Sequence, residues 1–419
     1  MARGPVRGLV VVPGSKSASA RSLLLAALAD GASTLAGVLD SRDTALMRAG
    51  LTTLGATFTD LPDERLGVQP AATLRGGGRI DCGLAGTVMR FVPPLAALAT
   101  PATTFVGDDA ASARPIAPLL TSLRALGADV SEPLRLPFTV SGTPAVRGGC
   151  VTVDASASSQ FVSALLLAGA RYPDGLDVTH SGSTLPSLPH IEMTASLLAR
   201  RGVRVDHPGP STWRVAPGPI AALDETVEPD LTNAATLLAA ALVTGGELST
   251  AWPEGSVQAA DELLAVLAAF GAHISHSWQD AGRVVTVSGT GGVRGADVDL
   301  HDVSELTPVA AALAAVATGP SVIRGVAHIR GHETDRLAAL AAELSGLGVG
   351  ATETADGLAI TPSARRGGTF HTHADHRLAH AGALLGLVTP GVELDDVTCT
   401  SKTLPDFVGT WTRLVGEAS

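Results

Sequence analysis

The order of hydrophobic and polar positions along this chain of 419 residues follows one pattern that repeats six times. Each repeat begins with a short polar segment, continues with an alanine- and leucine-rich run and ends at a glycine or proline. The run predicts a buried helix, and the β-prone stretch after it predicts a strand. The polar openings recur about every seventy residues, near Ser17, Gly86, Ser158, Thr232, Glu305 and Asp375.

A second repeating pattern alternates with the first and predicts an amphipathic helix, a glycine and then a strand. The glycine recurs in this setting at Gly55, Gly127, Gly202, Gly271 and Gly348. Glycine at the end of a helix is typical of the left-handed position that stops it. Together the two series predict six units of about seventy residues, each with two helices and several short strands.

Six such units exceed one comfortable hydrophobic core, so the pattern predicts two domains of three units each. The break is expected near Glu228–Asp230, because a proline there disfavours helix in the residue before it. A second crossing near residue 13 assigns 14–229 to one domain. Residues 1–13 and 230–419 then form the other domain, and the first strand, predicted at Leu9–Val12, joins it.

Composition narrows the class of protein. The net charge of −11 argues against a general nucleic-acid binder, and an anionic substrate would need a local positive pocket. Aromatic residues make up only 3% of the chain, so alanine, leucine and valine must fill the core. The sequence shows no membrane-spanning stretch and no signal peptide, and its three cysteines lack metal spacing. We therefore expect a cytoplasmic protein.

Only two of the 29 basic residues are lysines, and both are flanked by small hydroxyl residues. Lys16 lies in Gly14–Ser17, and Lys402 lies in Thr400–Thr403. A compact ammonium group in such surroundings can hold a phosphate or carboxylate, or exchange a proton. Lysines with neither role are common at protein surfaces, so the pattern alone leaves that alternative open.

Anions would bind at the polar openings, because a helix N-terminus presents unpaired N–H groups and the positive end of its dipole. The segment Pro13–Arg21 places Lys16 and Arg21 around the start of a helix predicted at Ser22–Ala29. It is not a nucleotide-binding P-loop. With Lys16 as the lysine of that motif, its two glycines would stand at positions 10 and 15, where this chain has Val10 and Ser15.

Two further openings carry weaker signals. The glycines of Asp81–Arg90 would let a ligand approach the backbone, although most such turns are structural. The segment Ala157–Gln160 offers three hydrogen-bonding side chains, but a plain serine N-cap explains it equally well.

The second half of the chain carries the titratable groups. Glu305 is predicted at a helix start. Glu333 and Arg336 are three residues apart, which predicts one helix face and is also typical of a surface ion pair.

A histidine-rich segment invites a metal-binding interpretation. His371 and His373 would share one strand face, and His376 and His380 one helix face. No separate carboxylate-rich ligand set accompanies them, so no metal is expected.

Taken together, these motifs resemble those of the enolpyruvyl transferases, most closely the actinobacterial branch that acts on shikimate 3-phosphate. The resemblance spans essentially the whole chain. It implies an α/β fold of two domains, each a threefold repeat of a βαβαββ unit with its helices inside, and an active site in the cleft between them. The motifs keep their order: Pro13–Ser17 with Arg21, Gly83–Arg90, Ser158–Gln160, Glu333–Arg336, Asp375–Arg377 and Lys402–Pro405.

The resemblance implies transfer of the enolpyruvyl group of phosphoenolpyruvate to the 5-hydroxyl of shikimate 3-phosphate, a step of aromatic amino-acid biosynthesis. It implies no cofactor, no nucleic-acid or membrane partner, and a monomer. The implied catalytic groups are Lys16, Glu305 and Glu333. The implied ligands of shikimate 3-phosphate are Lys16, Ser17, Arg21, Ser158, Ser159, Gln160, Ser187, Glu305 and His332. The implied ligands of phosphoenolpyruvate are Lys16, Gly86, Arg114, Gln160, Arg336, Arg377 and Lys402.

Departures from the family pattern keep other functions open. A paralogue with another hydroxyl acceptor would look similar, as would the transferase acting on UDP-N-acetylglucosamine. That enzyme usually carries a reactive cysteine or aspartate on a mobile loop; Gly107–Arg114 has no cysteine, although Asp108 and Asp109 lie there. A metal-dependent hydrolase and a non-catalytic binding protein are alternatives from other classes. The departures are Leu84 for Asn, Ala20 for Asn, His190 for Tyr, His332 for Lys, His380 for Met and Glu305 for Asp.

Overall fold

The structure is a computed structural model, and it describes residues 2–279 and 282–416. The strands are β1 Arg7–Leu9, β2 Ser33–Ala36, β3 Thr57–Leu61, β4 Arg65–Gln69, β5 Arg79–Asp81, β6 Thr103–Val106, β7 Asp129–Val130, β8 Phe138–Ser141, β9 Gly149–Val153, β10 Leu176–His180, β11 Val205–Gly209, β12 Thr212–Val215, β13 Glu225–Thr226, β14 Glu247–Ala251, β15 His273–Gln279, β16 Gly282–Ser288, β17 Asp297–Asp299, β18 Ser321–Arg324, β19 Gly350–Glu353, β20 Leu358–Thr361, β21 Gly368–Phe370 and β22 Val392–Leu394.

The helices follow the two series of polar openings and glycine stops. They are α1 Lys16–Ala27, α2 Arg42–Thr53, α3 Gly86–Phe91, α4 Pro93–Ala96, α5 Asp109–Ser112, α6 Ala117–Ala125, α7 Gln160–Gly169, α8 Leu188–Arg200, α9 Leu231–Thr244, α10 Ala260–Ala269, α11 Thr307–Val316, α12 Arg336–Gly346, α13 His376–Gly386 and α14 Phe407–Gly416. Short 3-10 turns cover Ser304–Leu306, Ala327–Gly331 and Thr398–Lys402.

Five sheets share one strand order, in which a parallel pair is followed by an antiparallel hairpin. The sheet β5-β6-β8-β7 shows the pattern: β5 and β6 run parallel, and β8 runs antiparallel to both β6 and β7. The same order recurs in β9-β10-β12-β11, β13-β2-β4-β3, β1-β14-β16-β15 and β17-β18-β20-β19. The βαβαββ repeat of the sequence analysis is therefore present in the structure.

The sixth repeat departs from this pattern. Within the part of the chain that the structure describes, its sheet consists of the parallel pair β21 and β22. After β22 the chain enters the 3-10 turn Thr398–Lys402 and then α14, where the other repeats form a hairpin.

The chain divides into two compact units, Gly14–Glu228 and Met1–Pro13 with Pro229–Ser419. In the first unit, α1, α3 and α7 contact one another, and α1 and α7 also contact strands of their own sheets. Every residue of α7 from Phe161 to Gly169 is buried, as its Ala/Leu composition predicts.

The unit that contains Pro229–Ser419 is built in the same way. Its central helices are α9, α11 and α13, which contact one another and the strands β14, β18 and β22, respectively. The N-terminal strand β1 pairs with β14 in parallel, Arg7 opposite Glu247. That strand lies at Arg7–Leu9, earlier than the predicted Leu9–Val12.

The glycines of the second series end helices as predicted. All five have positive φ, from +77° at Gly202 to +108° at Gly55. Residues with a Cβ atom rarely adopt this backbone conformation, which explains why glycine occupies these positions. Among the described residues, no helix has the length and apolar character that crossing a membrane requires.

Candidate active site

Helix α1 starts six residues before the predicted position, at Lys16. Ser15 is its N-cap, and the Ser15 hydroxyl accepts from the N–H of Ala18 at 3.3 Å. The sequence interpretation underestimated this cap because small hydroxyl residues are also common in loops. Lys16 is thus the first residue of the helix, Ser17 is the second, and Arg21 lies inside the helix rather than before it.

Arg21 is buried, and protein groups hold its guanidinium. It donates to the Thr194 hydroxyl at 2.7 Å, the Ser17 carbonyl at 2.9 Å and the His190 carbonyl at 3.1 Å. It also lies over the Phe91 ring, 5.0 Å from the centroid. Burial lowers the pKa of Arg21 to about 9, so the side chain remains a cation at neutral pH.

The glycine-rich turn brings Gly86 and Arg114 together. Arg114 donates to the Leu84 carbonyl at 2.9 Å, so this contact does not require the family's asparagine side chain. A Cβ atom at Gly86 would lie 2.8 Å from an Arg114 nitrogen, which is closer than real Cβ contacts. The absence of a side chain at Gly86, the first residue of α3, is what lets Arg114 occupy this position.

At the start of α7, the Ser158 hydroxyl accepts from the N–H of Gln160 at 3.3 Å. Ser159 is the N-cap by position, and Ser158 rather than Ser159 supplies the hydroxyl that caps the helix, so the serine-cap alternative fits Ser158. The Gln160 side-chain oxygen accepts from Arg90 at 2.9 Å.

Arg90 was quoted in the glycine-turn motif but was not predicted as a site residue. It is buried, donates to the Pro115 carbonyl at 3.1 Å and lies 5.4 Å from the Phe161 ring centroid. Burial, with a smaller effect of the Arg114 charge, lowers the pKa of Arg90 well below its ordinary value. Its position inside an apolar helix was a signal, because a buried arginine needs built-in acceptors.

Ser187 has a backbone conformation unusual for a serine. It is the buried N-cap of α8, with φ +50° and ψ +54°. Strain of this kind at non-glycine residues is often found at ligand sites. His190 offers its carbonyl to Arg21, Ser163 and Thr194.

In the other unit, Arg336 is the centre of an ion cluster. It donates to Asp375 at 2.7 Å, to Glu333 at 2.8 Å and to Glu305 at 3.0 Å. Burial acts to lower the pKa of Arg336, but these three carboxylates outweigh it and raise the pKa well above its ordinary value.

Two details of the predicted Glu333–Arg336 pair were wrong. Helix α12 begins at Arg336 with Asp335 as its N-cap, so Glu333 precedes the helix rather than sharing its face. The pair is also not a surface ion pair, since the side chains of Arg336 and Glu333 are 1% and 11% exposed.

Glu333 is shared by two cations. Its second carboxylate oxygen accepts from Lys402 at 2.6 Å, and the Lys402 side chain is 15% exposed. The alternative of Lys402 as a surface residue is therefore wrong. The Nδ1 atom of His376 lies 3.5 Å from Glu333.

Asp375 caps α13 and binds Arg336 at the same time. Its carboxylate accepts from the backbone N–H of Arg377 at 2.8 Å, and its side chain is fully buried. Burial, together with the Glu333 charge, raises the pKa of Asp375 even though Arg336 opposes the shift. The Nε atom of Arg377 lies 3.6 Å from Glu305.

His332 is a neutral neighbour of this cluster. Burial first, and then the Arg336 charge, lower the pKa of His332 to about 3. Arg336 donates to Nδ1 of His332 at 3.1 Å, so the ring proton resides on Nε2. His332 therefore supplies a neutral N–H donor beside Arg336.

The histidine-rich segment does not form the predicted metal geometry. Strand β21 ends at Phe370, so His371 and His373 follow it instead of sharing its face. His371 binds Asp395 at 3.0 Å, and His373 binds Glu343 at 2.9 Å.

His376 and His380 do share a face of α13, with ring centroids 6.1 Å apart. Among the described residues, His376 also belongs to a group whose ligand atoms lie within 4.8 Å of one another: Glu333, Asp375 and His376. Arg336 and Lys402 already bind its carboxylates, so cationic side chains stand where a metal ion would.

Comparison with known proteins identifies the family. The model of the EPSP synthase family (3-phosphoshikimate 1-carboxyvinyltransferase) matches residues 1–411. The chain belongs to this family. A relative from Kocuria rhizophila, a 3-phosphoshikimate 1-carboxyvinyltransferase, is 53% identical over 425 residues, which cover 99% of this chain and 95% of the relative. The resemblance found in the sequence is thereby confirmed.

Solved structures of EPSP synthases and related enzymes share the fold. An EPSP synthase of Acinetobacter baumannii aligns with a TM-score of 0.79 at 22% identity, over 99% of this chain and 96% of that one. The enolpyruvyl transferase NikO of Streptomyces tendae aligns with a TM-score of 0.78 at 20% identity and the same coverage. At these identities the likeness shows the fold alone, and it confirms the predicted two-domain α/β class.

Proposed function

We propose that this protein transfers the enolpyruvyl group of phosphoenolpyruvate to the 5-hydroxyl of shikimate 3-phosphate, releasing phosphate. The extensive identity to a relative named for this reaction supports the proposal. In the reaction the hydroxyl attacks C2 of phosphoenolpyruvate while C3 takes up a proton, which gives a tetrahedral intermediate. Loss of phosphate and of the C3 proton then forms the enol ether.

The observation that carries the proposal is the contact between Lys402 and Glu333. Their charged atoms are 2.6 Å apart, and Arg336 holds the other oxygen of Glu333. A partly exposed ammonium–carboxylate pair can hold a phosphate or carboxylate group and move a proton over a short distance. Both abilities are needed when an anionic enol must be protonated and later deprotonated at carbon.

The remaining cations of the cluster are suited to hold phosphoenolpyruvate. We assign Arg336 and Arg377 to its anionic groups, because guanidinium groups bind carboxylates and phosphates with two parallel hydrogen bonds. Glu305 lies beside both Arg336 and Arg377. Glu305 and Glu333 are the two candidates for acid–base catalysis. His332 would donate its Nε2 proton to the acceptor substrate.

The unit Gly14–Glu228 supplies the other proposed ligands. Arg114 beside Gly86, together with Gln160, is assigned to phosphoenolpyruvate. The assignment to shikimate 3-phosphate rests on the buried cation Arg21 inside α1 and on groups at helix N-termini, where anions are favoured: Lys16, Ser17, Ser158, Ser159, Gln160 and Ser187. The proposal requires one pair of substrates to engage both sets of residues, with Lys16 serving both substrates.

Release of inorganic phosphate tests the proposal directly. The purified protein is supplied with phosphoenolpyruvate and either shikimate 3-phosphate or UDP-N-acetylglucosamine, with and without a chelator. We expect turnover with shikimate 3-phosphate only, at a rate the chelator does not change. Turnover on neither acceptor would refute a transferase acting on these substrates. Loss of activity with chelator would restore a metal-dependent mechanism.

Assembly and location are part of the same proposal. We propose a monomer that acts in the cytoplasm, where its three free cysteines would remain reduced. Light scattering coupled to size-exclusion chromatography measures the molar mass in solution and so tests whether the protein is a monomer. A mass near twice 42.1 kDa would contradict it.

A further inference from the structure

Asn233 is a buried polar residue that the assignments above do not use. It lies in the first turn of α9, and its side chain is fully buried. Its backbone N–H donates to the Asp230 carboxylate at 2.9 Å, which fixes the start of the helix. The amide therefore projects from a rigid, capped helix end.

The Asn233 amide joins two segments that carry proposed ligands of phosphoenolpyruvate. Its oxygen accepts from Nη1 of Arg377 at 2.9 Å and from the Thr403 hydroxyl at 3.3 Å. Its nitrogen donates to the Thr403 carbonyl at 2.8 Å. Thr403 follows Lys402 directly and is itself fully buried. One side chain thus ties the position of Arg377 to the backbone beside Lys402.

The chemistry of these contacts requires an amide. An alanine would leave an N–H of Arg377 and the Thr403 carbonyl without this partner in a buried place, which is costly. An aspartate of the same shape could accept from Arg377, but it could not donate to the carbonyl. It would also neutralise part of the Arg377 charge. A neutral acceptor holds the arginine and leaves its charge available to an anion.

We propose that Asn233 is a positioning residue that holds Arg377 and Lys402 at a fixed separation, so that they bind phosphoenolpyruvate as one clamp. The inference rests on the proposed function for the identity of the ligand. Asn233 itself contacts neither substrate and acts through the two cations. Because Asn233 contacts both segments, Arg377 in the first turn of α13 and Lys402 at the end of a 3-10 turn keep a constant distance from each other.

Steady-state kinetics of Asn233→Ala and Asn233→Asp test the tether. We expect KM for phosphoenolpyruvate to rise about tenfold or more in both variants, the effect of losing a charge-assisted hydrogen bond. KM for shikimate 3-phosphate should change less than about twofold, because its proposed ligands do not touch Asn233. The matched control is Thr236→Val, a buried site in the same helix whose hydroxyl donates to the Thr232 carbonyl at 3.0 Å. Equal increases in both KM values, or the same result in the control, would overturn the proposal.

Chemical labelling provides a second test that needs no substrate. The chain has only two lysines, so mass spectrometry after acylation reports Lys402 and uses Lys16 as an internal reference. In Asn233→Ala we expect Lys402 to be acylated several-fold faster, since its segment has lost a tether, with Lys16 unchanged. An unchanged Lys402 rate would contradict the inference. A faster Lys402 rate in a protein whose parent shows no turnover would instead refute the proposed function and leave the tether standing.

Discussion

At the scale of single residues, the protein places a few cations in surroundings that fix both their charge and their direction. Arg336 binds three carboxylates while remaining buried, and Lys402 shares one of them. Removal of one partner from such a cluster leaves the others uncompensated, so effects should be large and local. Four predictions belong to this scale.

Replacement of either lysine by methionine should impair catalysis. Lys16→Met or Lys402→Met removes a compact positive charge, at a cost of about 1.5–3 kcal/mol in binding of substrate or transition state. That cost corresponds to a decrease of roughly tenfold to a hundredfold in kcat/KM. Arg324→Met, in an exposed pair with Asp297, is the control and should be neutral. If kcat/KM stays unchanged in both lysine variants, the roles assigned to these residues are wrong.

A methyl group at Gly86 should displace Arg114. The added Cβ would lie 2.8–2.9 Å from two guanidinium nitrogens, so Arg114 must shift. We expect Gly86→Ala to raise KM for phosphoenolpyruvate several-fold through the loss of an aligned hydrogen bond. Gly346→Ala, at a helical glycine with no atom within 4 Å of the added Cβ, is the control. Similar KM values in both variants would contradict the role of the glycine.

Histidines whose pKa is lowered in the folded protein should make the protein less stable in mild acid. Burial lowers the pKa of His328 to about 4 and of His332 to about 3, and that of His380 falls well below its ordinary value. In the unfolded chain each titrates near pH 6.5, so the unfolded state binds more protons below that pH. The free energy of unfolding must therefore fall as the pH falls from about 6.5 towards the native pKa values. Urea unfolding at several pH values measures it.

The variant His380→Met measures how much a single histidine contributes to this pH dependence. The imidazole is fully buried, and neither ring nitrogen has a hydrogen-bond partner among the described residues. We expect the variant to be more stable, and the dependence of its unfolding free energy on pH to be lower by up to about 1.4 kcal/mol per pH unit. The exposed His273→Met is the control. An unchanged pH dependence in His380→Met would show that His380 is not kept neutral in the folded protein.

At the scale of helices and strands, the periodic pattern predicted which segments are helical better than it predicted where they begin. The glycine stops were predicted well, because positive φ strongly favours a single residue type. The starts of α1 and α12 were not, because their caps Ser15 and Asp335 are as common in loops as at helix ends.

Capping of α2, a helix that carries none of the proposed ligands, should affect stability alone. Ser41 and Thr44 form a reciprocal capping box at the start of α2. Ser41→Ala should lower the free energy of unfolding by about 1 kcal/mol and leave KM for both substrates unchanged. Thr52→Ala, at an exposed position of the same helix, serves for comparison and should cost less. A kinetic effect of Ser41→Ala would connect α2 to catalysis.

At the scale of the whole molecule, the candidate site draws on residues far apart in sequence. Sequence motifs singled out Lys16, Glu333 and Lys402, because a known family uses those residue types in that order. They did not single out Asn233 or Arg90 as site residues. Both act by touching other side chains, and such contacts depend on three-dimensional packing that no local pattern reports.

Substrates should draw the two units together. Lys16 belongs to Gly14–Glu228 and Lys402 to the other unit, yet both are proposed to contact phosphoenolpyruvate. Small-angle scattering should therefore show a smaller radius of gyration when both substrates are saturating, as is common when enzymes close on their substrates. Substitution of Lys402 by methionine should weaken the response. An identical scattering curve with and without substrates would contradict closure.

The pairing of strands distant in sequence has a consequence for synthesis on the ribosome. Strand β2 acquires its parallel neighbour β13 only after about 190 more residues have been made, whereas β1 must wait even longer for β14. Domains fold in the order in which they leave the ribosome. The nascent chain thus carries its first strand as an unpaired leader while the unit behind it folds, and that strand becomes part of a sheet only when the second unit emerges.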